Sequence, residues 1–190
     1  MKVGKMIEVE IKVLVKNKED LEKKLLQAGF VKSDLLKESD FYFDNEFGNI
    51  RKSDQALRIR NCENLTTNLT ENFITYKGPK MDEISMTRKE LEMKIESAET
   101  GKAILHSLGY VAFPPVIKLR QHFQQGEITA CLDQVENLGE FLELEIIVQQ
   151  EREKALEKII SLLHELGYQS EEIIKTSYLS MLQKQCKIEE

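Results

Sequence analysis

Several short stretches of this chain alternate between charged and aliphatic residues, and that alternation constrains the fold more than any other feature. Along a β-strand, residues i and i+2 project from one face. Glu8, Glu10 and Lys12 therefore share a side opposite Ile7, Val9, Ile11 and Val13. Arg58 and Arg60 alternate with Leu57 and Ile59, Lys118 and Arg120 with Ile117 and Leu119, and Glu143 and Glu145 with Leu142, Leu144 and Ile146. The alternation is less clean for Arg88, Glu90 and Glu92 against Lys89, Leu91 and Met93, while Lys77 and Asp133 stand near the ends of apolar strands. For any one such strand, a solvated outer face over an apolar core is the ordinary reading.

The rest of the chain changes that balance. Period-two patterning predicts strands over 6–15, 39–44, 56–61, 72–77, 86–95, 116–123, 127–134 and 141–148, and helical spacing predicts helices over 18–28, 99–108, 151–166 and 171–185. Amphipathic helices need an apolar sheet surface to cover. If the aliphatic strand faces supply it, the charged faces turn inward. The charges also segregate by strand into acidic and basic pairs, where a solvated face would mix signs. The expected fold is α+β: an eight-stranded antiparallel β-barrel with helices packed outside, closure removing exposed edges. An interior of about five carboxylates and six cations would lose several kcal/mol of solvation per unpaired charge, so water, metal and a polyanion are expected to fill it.

Residues 7–30 and 142–168 look like copies of one unit. Each opens with a Glu-x-Glu strand and continues into a Glu/Lys-rich helix that ends in Leu-Leu, then Gly, then an aromatic: Gly29-Phe30 and Gly167-Tyr168. Gly109-Tyr110 ends a third helix in the same way, as expected for a glycine in the left-handed position with the aromatic packing back. His106 and His164 then read as helix-end residues.

At 190 residues and 41% hydrophobic, the chain is expected to form a single domain over 1–190. A net charge of −6 argues against a nucleic-acid or membrane partner, so any anion site must be built from clustered cations. Cys62, Cys131 and Cys186 form neither a CxxC pair nor a disulfide framework, which fits a reducing cytosol. Charges at Glu8, Glu10 and Lys12 interrupt any apolar leader core and no run reaches membrane-spanning length, so a cytoplasmic location is expected.

Carboxylates without His or Cys select hard cations, Mg²⁺ or Mn²⁺ rather than Zn²⁺. Arg and Lys pairs hold phosphate oxygens and stabilise charge developing on a leaving phosphate. Together they point to phosphoryl or nucleotidyl chemistry. Neither GxxxxGK[ST] nor GxGxxG occurs, which leaves P-loop and Rossmann readings unsupported.

Glu8-Val9-Glu10-Ile11-Lys12 matches the ExExK signature of the CYTH, or triphosphate tunnel, family. The match continues through Asp40-Phe41-Tyr42-Phe43-Asp44, Ala56-Leu57-Arg58-Ile59-Arg60, Thr75-Tyr76-Lys77-Gly78-Pro79, Arg88-Lys89-Glu90-Leu91-Glu92, Ile117-Lys118-Leu119-Arg120, Leu132-Asp133 and residues 139–145. The resemblance implies a charged eight-stranded tunnel. It further implies divalent metal on Glu8, Glu10, Asp133, Glu143 and Glu145, and triphosphate on Lys12, Arg58, Arg60, Lys77, Arg88, Lys118 and Arg120. Glu10 or Glu145 could instead hydrogen-bond a cation. The stretch 40–44, the Lys77-Gly78-Pro79 turn and the tail 177–182 most resemble small proteins similar to class IV adenylyl cyclases. That implies conversion of ATP to cyclic AMP and pyrophosphate. Hydrolysis of thiamine triphosphate, inorganic triphosphate or a nucleotide is the alternative, and noncatalytic polyphosphate or nucleotide binding a third. A homodimer stays open. Tyr42, Phe43 and Phe123 are candidates for a base slot, and no general base is assigned.

Overall fold

The computed structural model describes residues 6–186. In chain order the elements are β1 (Met6–Leu14), α1 (Lys18–Gln27), β2 (Val31–Asn45), α2 (Asn49–Lys52), β3 (Ala56–Asn64), β4 (Thr70–Lys80), β5 (Arg88–Ile95), α3 (Ala98–Ser107), β6 (Tyr110–Ala112), β7 (Val116–Gln125), β8 (Ile128–Val135), β9 (Gly139–Val148), α4 (Arg152–Glu165), a 3-10 turn at Ser170–Glu172 and α5 (Tyr178–Cys186). The strands pair antiparallel in the order β3-β4-β5-β1-β9-β8-β7-β2, and β2 returns to β3, so eight strands close a ring. Strand β6 takes over the edge of β2 from Phe43 to Asn45, where β7 leaves it at Asp40. Among the described residues, eight register pairs join β1 to β9 and three join β1 to β5.

The strand alternation resolves as expected in β1, β3 and β9, with aliphatic side chains outward beneath helices, whereas Leu91 and Met93 of β5 and Leu119 of β7 are exposed with no helix over them among the described residues. Val9, Ile11 and Val13 of β1 and Leu142, Leu144 and Ile146 of β9 are buried against Leu21 and Leu25 of α1 and Ile159 and Leu163 of α4. Removing side chains of this size from water contributes about 1.5–3 kcal/mol each, which fixes which face of each strand turns out. Around the ring, α3 lays Ala98 and Leu105 over Phe43 and Ile59. Its Gly101 permits the close approach, since a Cβ there would meet Ile59 and Ile95 side-chain carbons at 2.9 Å. A third cluster sits at one end of the barrel, where Tyr178 and Leu179 of α5 pack on Val116, Val135 and Phe141.

The two similar segments become neighbours, since β1 and β9 pair antiparallel and each feeds a covering helix. Both helices stop in the same way. Gly29 and Gly167 take φ of 91° and 92°; the Phe30 N–H donates to the Leu25 carbonyl and the Tyr168 N–H to the Leu163 carbonyl, burying both aromatics.

Two expectations need correction. Strand β2 starts at Val31, not at 39: residues 31–37 are exposed or half-buried and their apolar members Leu35 and Leu36 are adjacent, so no alternation marks them, and the β7 ladder recruits them. The tail is not one helix over 171–185. The Ile174 N–H donates to the Lys12 carbonyl at 2.7 Å, which draws 173–176 out extended, and the Ser177 hydroxyl caps a new helix at the Ser180 N–H. The short elements α2 and β6 had no sequence signal. Cys62 and Cys131 are free thiols, while the side chain of Cys186 lies outside the described part. Among the described residues, no helix is long and apolar enough to cross a membrane.

Candidate functional site

The charged faces converge inside the ring on a cavity of about 820 Å³. Of the residues singled out from the sequence, Glu8, Glu10, Lys12, Arg58, Arg60, Lys77, Arg88, Lys118, Arg120, Glu143 and Glu145 line it. The cavity has two chemically different walls.

The acidic wall is formed by β1, β5 and β9. Register places Glu10 opposite Glu145 and Lys12 opposite Glu143. Lys77, reaching in from β4, donates to Glu8 Oε2 at 2.5 Å and lies 3.3 Å from Glu90 Oε2. Lys12 lies 3.3 Å from Glu143 Oε1, with its ammonium 4.0 Å from the centre of the Tyr178 ring. Burial alone would raise Glu8, but the Lys77 ammonium holds it down at about 2. Glu10 has no such dedicated partner: burial, and then the charges of Glu143 and Glu8, push it up to about 8. Burial and Glu8 likewise raise Glu145 to about 7. This wall therefore carries more carboxylate than its cations neutralise.

The basic wall is formed by β2, β3 and β7, and its organising carboxylates are Glu38 and Asp40. Arg60 forks onto Asp40 at 2.6 and 2.8 Å and reaches Glu38 at 3.1 Å. Lys118 lies 3.1 Å from Glu38, and Arg58 lies 3.6 Å from Asp40. Against burial, Arg60 and Lys118 hold Glu38 at about 2, and Arg60 and Arg58 hold Asp40 well below the ordinary carboxylate range. Among the described residues, Arg58 Nε in this wall is buried without a hydrogen-bond partner, while Glu38 Oε2 meets the Lys118 ammonium at 3.1 Å. A donor buried without an acceptor costs about 1–3 kcal/mol.

Sequence reasoning gave Glu38 and Asp40 no role. Their signal was present in the inward alternation Glu38, Asp40, Tyr42 against Phe41 and Phe43, but the missed first half of β2 obscured it. Asp54, in the turn before β3, was also missed: its carbonyl and side chain hold Arg88, which donates as well to the Gly78 carbonyl at 2.9 Å.

Asp133 stands apart from the other expected metal ligands. It is 2% exposed, takes a two-pronged contact from Arg120 and accepts the Tyr178 hydroxyl at 3.0 Å. Arg120 also bonds Glu143. Of the three aromatics considered for a base slot, Tyr42 lines the cavity, whereas Phe43 is buried on the outer face beneath α3 and Phe123 on the outer face with the α1 and α4 cluster. His106 and His164 sit in the last turns of their helices, and His164 pairs with Ser170.

The donor set fits a hard divalent cation. The acidic wall offers carboxylate oxygens, with Cys131 and His122 in the adjoining lining, and Glu10 and Glu145 are held partly protonated by burial and then by their neighbours' charge, a repulsion that a cation would relieve. Among the described residues no three His, Cys, Asp or Glu side chains are already gathered as ligands.

Known proteins resemble this chain in sequence and in fold. A Methanocaldococcus jannaschii protein named as a candidate adenylate cyclase, MJ0240, is 39% identical over 178 residues, covering 93% of this chain and 98% of its own. The structure of PH1819 from Pyrococcus horikoshii superposes with a TM-score of 0.84 at 32% identity, covering 94% of this chain and 99% of that one. A Hippeastrum protein, HpAC1, described as a candidate adenylyl cyclase with a dominant triphosphatase activity, shares the fold at 18% identity and a TM-score of 0.67, with 95% and 96% coverage. The CYTH domain matches residues 6–178, from the first charged strand to the tyrosine that bonds Asp133, and the chain belongs to the CYTH family.

Proposed function

We propose that the tunnel binds a nucleoside triphosphate together with Mg²⁺ or Mn²⁺ and converts ATP to cyclic AMP and pyrophosphate. The observation that carries this is the convergence of Lys12, Arg58, Arg60, Lys77, Arg88, Lys118 and Arg120 on one enclosed cavity whose opposite wall is under-neutralised carboxylate. Arg58 lines the cavity and brings a guanidinium to its wall that can pair with phosphate oxygens. Lys118 and Arg120 add charge that stays fixed as the phosphates change, because Glu38 and Asp133 already orient them. Glu8, Glu10, Glu143 and Glu145 would hold the cation, which when bound neutralises charge building on phosphate oxygens. Asp133 anchors Arg120. In the proposed reaction the ribose 3′-hydroxyl attacks the α-phosphorus and pyrophosphate leaves; the chain's own part is to keep the triphosphate extended and water-shielded between the two walls.

Support for cyclisation over hydrolysis comes from the 39% identical relative named as a candidate cyclase. Hydrolysis of a terminal phosphate is the second reading, since the same grip serves both. Incubation of the purified protein with ATP, thiamine triphosphate or tripolyphosphate, with Mg²⁺ or Mn²⁺, separates the outcomes. Cyclic AMP with pyrophosphate is the expected result; orthophosphate would favour hydrolysis, and ligand retained without product would favour a binder. Glu8→Gln and Glu143→Gln should raise the metal concentration for half-maximal turnover about tenfold, the scale for losing one metal-holding contact. Normal turnover of both at low metal would remove them from the cation site.

A further inference from the structure

At the mouth beside the end of β2, the tunnel changes from charged to aromatic. The inward face of β2 runs Glu38, Asp40, Tyr42, and Tyr42 stands opposite Arg58 in the β2–β3 register, so the first aromatic follows directly on the cations. Phe113 continues this surface: its N–H donates to the Tyr42 carbonyl at 2.9 Å, and both rings pack with Leu179 of α5. Beside it the Arg51 guanidinium carbon lies 4.2 Å from the centre of the Phe113 ring.

Arg51 is held there by design of the local chain. The buried Asp44 accepts Arg51 Nε at 3.0 Å and also accepts the Ile50 and Arg51 backbone N–H groups at 3.0 and 3.2 Å. One carboxylate thus fixes both the short helix α2 and the stacked guanidinium. Gln55, just after α2, brings a side-chain amide to the same lining as Ile50, Arg51 and Phe113. None of these groups is needed to grip phosphate. Flat aromatic and guanidinium surfaces with an amide at their edge suit a planar heteroaromatic ring, which stacks on the first two and hydrogen-bonds the third. A cavity of about 820 Å³ also lies in the range that encloses a ligand much larger than a triphosphate chain.

We infer that this mouth is a slot for the aromatic base of the nucleotide, with Tyr42 and Phe113 as its stacking surface, Arg51 as the stacked cation and Gln55 as the amide at the base edge. The inference rests on the tunnel being the triphosphate site and assigns it a nucleotide rather than inorganic triphosphate.

Calorimetric titration tests it with 3′-deoxy-β,γ-methylene ATP, which can neither cyclise nor lose its terminal phosphate, and with methylene-bridged tripolyphosphate. Wild-type protein should bind the nucleotide more tightly than the bare chain. Phe113→Leu, which preserves apolar packing, and Arg51→Gln should each weaken the nucleotide about tenfold, within the range for losing a base-stacking surface. Tripolyphosphate affinity should shift by less than about twofold in both, on the same reasoning that stacking acts on the base alone. Equal weakening of both ligands, or no weakening of either, overturns the slot and leaves the tunnel assignment standing. Failure of wild type to bind either ligand overturns the tunnel assignment and the slot with it.

Discussion

The two walls of the tunnel use the same residue types to opposite effect. On the β2–β3–β7 side, Glu38 and Asp40 are enclosed by Arg58, Arg60, Lys118 and Arg120 and stay ionised far into acid. On the β1–β9 side, Glu10 faces Glu145 across the ladder and is raised to about 8. Both sets are buried, so burial does not explain the difference. What differs is the local ratio of cation to carboxylate: one wall balances its carboxylates with its own cations, while the other carries carboxylate in excess.

That contrast can be broken by mutation. Asp40→Asn removes the fork partner of Arg60 and the neighbour of Arg58 and Lys118, leaving buried cations under-compensated. The expected loss is about 3–5 kcal/mol of unfolding free energy, the cost of breaking a buried pair by one partner. Glu10→Gln in the opposite wall should cost little or stabilise the metal-free protein. Urea unfolding of the two variants checks this, and similar losses in both would erase the distinction between the walls.

A smaller effect is expected on ligand. Arg58→Ala should weaken triphosphate binding by about 1.5–3 kcal/mol, the scale of a charge-assisted hydrogen bond, measured by calorimetry on folded variant. An unchanged affinity would move the phosphate contacts away from the basic wall.

The smallest effect sharpens the comparison by pH. Glu10, Glu145 and Glu90, raised to about 8, 7 and 7 in the fold, remain protonated where the unfolded chain has ionised. Their contribution is therefore complete below the unfolded value near 4.5 and is lost as pH rises through 7 to 8. Metal-free protein should lose a few °C of Tm between pH 5.5 and 9, at roughly 2–4 °C per kcal/mol for a chain of this size. Glu10→Gln should flatten that slope, and added Mg²⁺ should reverse it by favouring the ionised wall. A metal-free Tm that climbs across this range would contradict the assignment. Glu8 and Glu38, lowered to about 2, act at the other limb: their stabilisation is present above the unfolded value and disappears as pH falls toward 2.

The outline of this site was legible because strand alternation is a local property. Glu8-Val9-Glu10-Ile11 or Ala56-Leu57-Arg58-Ile59-Arg60 reports its two faces within five residues, and the helices reported which face must be covered. What stayed hidden depends on contacts between distant residues. Residues 31–37 carry no alternation and become strand only because β7 lies beside them. The helical period over 171–185 gave no sign that Lys12 would claim the Ile174 amide. Asp133 reads from sequence as a spare carboxylate near the end of an apolar strand; that it is consumed by Arg120 and Tyr178 is visible only in space.

The joint between β1 and β5 has a consequence for motion. Among the described residues three ladder pairs and the Met86 amide on Glu10 hold it, and none of the helices covers it. Opening there would spare every helix-covered seam while parting Glu8 from Arg88. Amide protons of residues 88–90 should accordingly exchange with solvent sooner than those of β8 and β9, so that the barrel breathes along one line rather than all round its girth.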